Sequence, residues 1–163
     1  MTKHNVGIVI GRFQPLHIAH LQEVLLPALE DSDTLIILLG SSQRPRTPKD
    51  PFTDTERAYM IRSGLLDLGQ KFDVITDWYL INGKKSIYIV PLRDCTYSNT
   101  QWQLNVQERV RQIIDGEKQG RAKGDVVSIN LFGVDRDDTT FYLDFFPQWN
   151  RKVLIRDGKE DTM

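Results

Sequence analysis

Apolar residues along the chain fall into short, nearly unbroken runs that alternate with longer stretches where they recur every three or four positions. Val6, Ile8, Val9 and Ile10 form the first run, interrupted by Gly7 and stopped by Gly11. Pro15 permits a tight loop, after which Leu21, Val24, Leu25 and Ala28 return at helical spacing. The pattern predicts a buried strand, a phosphate-sized loop, and a helix that begins near His17 and fades by Leu29, its last turn weakened by Pro27.

Leu35 to Leu39 is an unbroken apolar run ending at Gly40, as expected of a parallel strand covered on both faces. The next stretch, Ser41 to Pro51, holds three basic residues and three of the prolines and reads as an irregular loop. Thr53 or Asp54 then caps a predicted helix with Ala58, Ile61, Leu65 and Leu68 as its apolar stripe. Phe72, Val74 and Ile75 read as one strand and Ile87 to Val90 as another, with Asn82 and Gly83 marking a turn between them, so the two runs are expected to pair as a hairpin or edge element. A helix is predicted from Asn99 into Ile114, stopped by Gly116 and Gly120. A further strand, Val126 to Phe132, is closed by Gly133, and the polar tail begins at Arg156. This alternation predicts an α/β fold: a Rossmann-like open parallel sheet with helices on both faces.

Composition narrows the classes. A length of 163 residues suits one domain, 1–163, and 21 basic against 22 acidic residues leave a formal net charge of -1. That balance argues against a polybasic nucleic-acid surface, though a small phosphate pocket would not show in the total. The single cysteine, Cys95, rules out an intrachain disulfide and a multi-cysteine zinc cluster. The polar start, Met1 to Asn5, has no apolar signal segment behind it, and no apolar run reaches membrane-spanning length. A soluble cytoplasmic protein is the simplest expectation. A homo-oligomer is compatible with this composition, but no interface can be read from it.

The segment richest in chemistry is Gly11-Arg12-Phe13-Gln14-Pro15-Leu16-His17-Ile18-Ala19-His20. His17 and His20, three apart, fall on adjacent turns of one helix face. Free backbone N–H groups and the positive dipole end at that helix start can meet a polyphosphate. Arg12 adds a planar cationic fork, and Gly11 lets the backbone come close. The same histidine pair also fits an ordinary helix face with satisfied ring nitrogens. Zinc fits less well, because two imidazoles need further ligands. The first strand-to-helix turn lacks G-x-G-x-x-G, and no G-x-x-x-x-G-K-[ST] occurs, which argues against dinucleotide-dependent hydride transfer and a P-loop ATPase.

The first loop resembles the HxGH nucleotidyltransferases and, more narrowly, the GRFQPxHxGH form of nicotinamide-mononucleotide adenylyltransferases, with Ala19 where that family usually has glycine. The resemblance extends to Gly40-Ser41-Ser42-Gln43, to Lys49-Asp50-Pro51-Phe52-Thr53 with Glu56-Arg57, and to Asp94, Asn99 and Trp102. Leu131-Phe132-Gly133, Asp135-Arg136-Asp137 and Phe145-Phe146-Pro147-Gln148-Trp149 are most similar to the adenylyltransferase half of bifunctional enzymes with a Nudix domain; no Nudix motif occurs within these 163 residues, and a second domain is not expected in them.

The resemblance implies transfer of AMP from ATP to nicotinamide mononucleotide, with NAD as product and Mg²⁺ held mainly by substrate oxygens. Its implied catalytic residues are His17 and His20, assisted by Arg12 and Lys49. Its implied nucleotide contacts are Gly11, Arg12, Phe13, Gln14, Gly40, Ser41, Gly133, Asp135 and Arg136. On the acceptor side, Trp102 is expected to stack on nicotinamide, with Asp94 and Asn99 nearby. Trp102 equally fits ordinary core, and the charged residues equally fit solvated loops.

The family's later ISSTxxR segment is not found after Trp149. Three expectations follow: a chain truncated at its C-terminus, a branch that closes the ATP site differently, or a nucleotide-binding regulatory module without full activity. Nucleotidyl transfer to another phosphorylated acceptor is the remaining enzymatic alternative.

Overall fold

The computed structural model describes residues 3–11, 21–40, 53–75, 78–92, 99–118, 126–134 and 146–154. Strand β1 (Lys3–Gly11) runs parallel to β2 (Thr34–Leu39) on one side and to β6 (Val126–Val134) on the other. β5 (Lys85–Pro91) adds in parallel to β2, and β7 (Asn150–Leu154) to β6. Beyond β5 the sheet turns antiparallel, through β4 (Trp78–Ile81) and then β3 (Phe72–Ile75). The described strands stand in the order β3-β4-β5-β2-β1-β6-β7.

Alternation along the central strands divides the core in two. Val9, Leu35, Ile37 and Leu39 face one side. There they pack with Val24, Leu25, Ala28 and Leu29 of α1, a π-helical segment Leu21–Leu25 continued by an α-helical one, Leu26–Glu30. Ile61 and Leu65 of α2 (Asp54–Asp67) join the same cluster. Ile8, Ile10, Ile36 and Leu38 face the other side, against Trp102, Val106, Val110 and Ile113 of α3 (Asn99–Lys118). Each fully buried aliphatic side chain contributes about 1.5–3 kcal/mol, so covering both faces supplies most of the force that orders the strands. The sheet carries helices on both faces, as the unbroken apolar runs predict.

Gly7 is required by close approach. A Cβ there would stand 2.2 Å from Ser32 Oγ, with Phe132 and Leu35 at 3.1 and 3.2 Å. Pro27 has its own local effect: it has no N–H for the helical ladder, and the winding changes from π to α beside it.

Four expectations need correction. The sheet is parallel through β5-β2-β1-β6-β7 but mixed overall. The Asn82-Gly83 turn, with φ of 52° and 71°, joins β4 to β5, and Phe72–Ile75 pairs with β4 rather than with β5. Both positive φ values suit a tight hairpin turn. The run Trp78–Ile81 is thus a strand of its own.

Third, α3 continues past Gly116 to Lys118. The Glu117 carboxylate accepts hydrogen bonds from Thr34 Oγ1 at 2.9 Å and Tyr88 Oη at 3.2 Å. Bonds to a charged group contribute about 1.5–3 kcal/mol, more than the roughly 1 kcal/mol penalty of a helical glycine. Because Thr34 donates to Glu117, His4 Nε2, at 3.0 Å, donates to Thr34 Oγ1.

Last, β7 was not expected, since among its five residues only Val153 and Leu154 are apolar. Among the described strands it pairs with β6 alone, and Asn150 Nδ2 fixes its start by donating to Ser128 Oγ at 3.1 Å and Asn130 Oδ1 at 3.2 Å. None of the described helices is long and apolar enough to cross a membrane.

Candidate active site

Chain order reverses at β1: the chain moves outward from β1 to β2 and β5, then returns to the opposite side of β1 for β6 and β7. Ligands of open α/β sheets bind outside the carboxyl ends of the strands at such a reversal. Gly11 is the last residue of β1; on the adjoining strand Gly133 lies one residue before the end of β6, still paired with Val153 of β7. Across the other flank, Gly40 N–H donates to Gly11 O at 2.8 Å, and Leu92 N–H to Leu39 O at 2.8 Å. The exits of β6, β1, β2 and β5 therefore form one continuous row.

A buried cation braces this row. Arg57, on the first turn of α2, is fully buried, and its Nη1 donates to Gly40 O at 2.6 Å while Nε donates to Thr53 O at 3.3 Å. Burying a charge costs several kcal/mol unless hydrogen bonds offset it, and the carbonyls of Gly40 and Thr53 are among the groups that do so here. The helix start is itself well defined. Thr53 Oγ1 accepts from Glu56 N–H at 3.2 Å, and Glu56 Oε1 accepts from Thr53 N–H at 2.9 Å, a reciprocal capping box. Sequence reasoning gave Arg57 no site role. The available signal was its spacing: with Ile61 and Leu65 it occupies i, i+4 and i+8 of the buried stripe.

On the opposite face, Asn99 opens α3 and Trp102 lies one turn in. Trp102 is only 7% exposed, and its ring centroid stands 5.9 Å from that of Phe146, which stacks on Trp149 at 4.6 Å. The Trp102 side chain thus belongs to the α3 core cluster.

Of the predicted site residues, Gly11, Gly40, Asn99, Trp102 and Gly133 lie within the described residues. Arg12, Phe13, Gln14, His17, His20, Ser41, Lys49, Asp94, Asp135 and Arg136 lie outside them. Connectivity still groups the latter: segments 12–20, 41–52, 93–98 and 135–145 follow directly on the carboxyl ends of β1, β2, β5 and β6. Among the described residues no group of three or more His, Cys, Asp or Glu side chains can hold a metal ion.

Comparison with known proteins identifies the family. Residues 8–118 match the cytidylyltransferase-like family model. A nicotinamide/nicotinic acid mononucleotide adenylyltransferase from Acinetobacter baylyi is 32% identical over 154 residues, covering 94% of this chain and 69% of the relative. The chain belongs to the nicotinamide-mononucleotide adenylyltransferase family. Another member, a nicotinamide-nucleotide adenylyltransferase from Saccharolobus solfataricus, is 42% identical over 93 residues, 57% of this chain and 46% of that one.

Among solved structures, a bifunctional NMN adenylyltransferase/ADP ribose pyrophosphatase from Francisella tularensis superposes with a TM-score of 0.67 at 27% identity, over 98% of this chain and 40% of that chain. A Francisella structure of this description holding AMP and a manganese ion aligns with a TM-score of 0.63 at 25% identity. This adenylyltransferase-family chain therefore spans about half, or less, of the length of several of its relatives.

Proposed function

We propose that the protein transfers the adenylyl group of ATP to nicotinamide mononucleotide, forming NAD and releasing pyrophosphate. The observation that carries this reading is the 32% identity to an enzyme of that name across 94% of the chain. The row of strand exits at the order reversal gives it a physical basis.

In the reaction, the 5′-phosphate oxygen of the mononucleotide attacks the α-phosphorus of ATP. The bond from that phosphorus to the bridging oxygen breaks, and pyrophosphate departs with the negative charge. The acceptor is already anionic near neutral pH, so no protein nucleophile or strong base is needed. The protein's task is to align attacking and leaving oxygens and to offset charge on the phosphate chain. Gly11 and Gly40 bring backbone close to that chain. His17 and His20, with Arg12 and Lys49, supply donors and positive charge to the departing pyrophosphate. Trp102, Asn99 and Asp94 form the acceptor side, and Gly133, Asp135 and Arg136 the adenosine side. Mg²⁺ is carried by the phosphates, lowering their mutual repulsion.

ATP, Mg²⁺ and nicotinamide mononucleotide should yield NAD and pyrophosphate in equal amounts, with nicotinic acid mononucleotide tested beside it as acceptor. A faster product from another phosphorylated acceptor would displace the assignment. Ala19 in place of the family's glycine favours one second reading, a nucleotide-binding module without turnover. Saturable ATP binding with no product from any mononucleotide would establish that reading instead.

A further inference from the structure

We propose that Arg57 is a positioning residue for this transfer: it fixes Gly40 at the end of β2 and Thr53 at the start of α2, the two ends of the connection whose sequence carries Ser41 and Lys49. The inference rests on the proposed reaction for its kinetic readout, and on geometry alone for its origin.

Gly40 is held on both sides. Its N–H donates to Gly11 O at 2.8 Å, and its carbonyl accepts from Arg57 Nη1 at 2.6 Å. That carbonyl belongs to the peptide unit shared with Ser41, so fixing it fixes the direction in which the chain leaves β2. The same guanidinium reaches Thr53 O through Nε at 3.3 Å. Thr53 is the residue that receives the chain from segment 41–52, which includes Ser41 and Lys49. One rigid planar fork thus holds both ends of a twelve-residue segment. Through Gly40 it also reaches the last residue of β1, from which Arg12, His17 and His20 follow.

A purely stabilising role accounts poorly for this choice of residue. The site lies in the inward stripe with Ile61 and Leu65, where an apolar side chain of similar volume would pack without any charge to desolvate. A guanidinium is suited to holding two carbonyls at a set separation and angle. Displacements of about 1 Å at a reacting centre can cost a hundredfold in rate, so bracing the backbone behind the phosphates is a direct way to control turnover.

Three variants test the claim. Arg57→Lys keeps the charge but replaces the planar fork with a point ammonium. Thr53→Gly keeps an acceptable cap while freeing the far anchor's backbone. Ile61→Val perturbs the same helix one turn on and serves as the stability control. Arg57→Lys should lower kcat at least tenfold, with KM for ATP changed less than threefold, and should speed hydrogen exchange at the Gly40 amide at least tenfold. Thr53→Gly should lower kcat at least threefold with little movement of the unfolding midpoint. Ile61→Val should lower the midpoint while keeping kcat within twofold.

If Arg57→Lys fails to fold, Thr53→Gly decides by the same kinetic criterion. Unchanged kcat in a folded Arg57→Lys, or in Thr53→Gly, overturns the proposal, as does a kcat loss in Ile61→Val equal to that of Arg57→Lys. If the wild type makes no dinucleotide from any mononucleotide, the adenylyl-transfer reading fails on its own. The Arg57 claim is then judged by ATP affinity, which Arg57→Lys and Thr53→Gly should weaken at least fivefold and Ile61→Val should not.

Discussion

A methyl group at position 7 has nowhere to go. With Ser32 Oγ 2.2 Å from where it would sit, and Phe132 and Leu35 just beyond, Gly7→Ala must displace Ser32, ahead of β2, and press on the neighbouring strands β2 and β6. Overpacking of this kind costs roughly 1–3 kcal/mol, to be read as a lower urea midpoint at unchanged slope; an unmoved midpoint would show that the contact relaxes freely. His17 and His20 call for the opposite test, since the role proposed for them is chemical. Replacing either with Ala should lower kcat by about 10²-fold or more without shifting the unfolding midpoint, as measured by initial rates beside a thermal melt. Their spacing and their neighbours Gly11 and Arg12 single this pair out in the sequence, but both histidines lie outside the described residues. Arg57 was not legible, because an arginine within an apolar stripe reads as a break in the stripe. Its complete burial and its two carbonyl partners exist only in three dimensions.

Elements were readable where local pattern and tertiary setting agree. β2 is apolar at every position from Leu35 to Leu39 because both its faces are covered, and α2 starts where Thr53 and Glu56 complete a capping box. The reading failed where a distant partner decides. Only two residues of β7 are apolar, and its place is set by the β6 backbone together with Ser128 and Asn130. The end of α3 is set by Glu117, whose partners Thr34 and Tyr88 are 83 and 29 residues away in sequence. Glu117→Ala removes those bonds and leaves the glycine penalty unopposed. It should lower stability by about 2 kcal/mol and speed amide exchange over the last turn of α3. Protection equal to the wild type would mean that the helix end is held by something else.

For the whole molecule, strand order decides which loops stand side by side. The fold class followed from alternating periodicities, but the reversal at β1 did not, because crossover directions leave no mark in hydrophobic spacing. That reversal brings the exits of β5, β2, β1 and β6 into one row. The segments carrying His17, His20, Ser41, Lys49, Asp94, Asp135 and Arg136 follow on from that row. An antiparallel β3-β4 edge extends the sheet on the far side of β5, away from β1. In the proposed reaction the α-phosphorus of ATP is the atom attacked. ATP labelled at its α-phosphate, incubated with Mg²⁺, nicotinamide mononucleotide and the protein, shows where that phosphorus goes. Adenylyl transfer puts the label in NAD, one equivalent for each unlabelled pyrophosphate released; label remaining in ATP, or appearing in free AMP while nicotinamide mononucleotide is untouched, rules the reaction out.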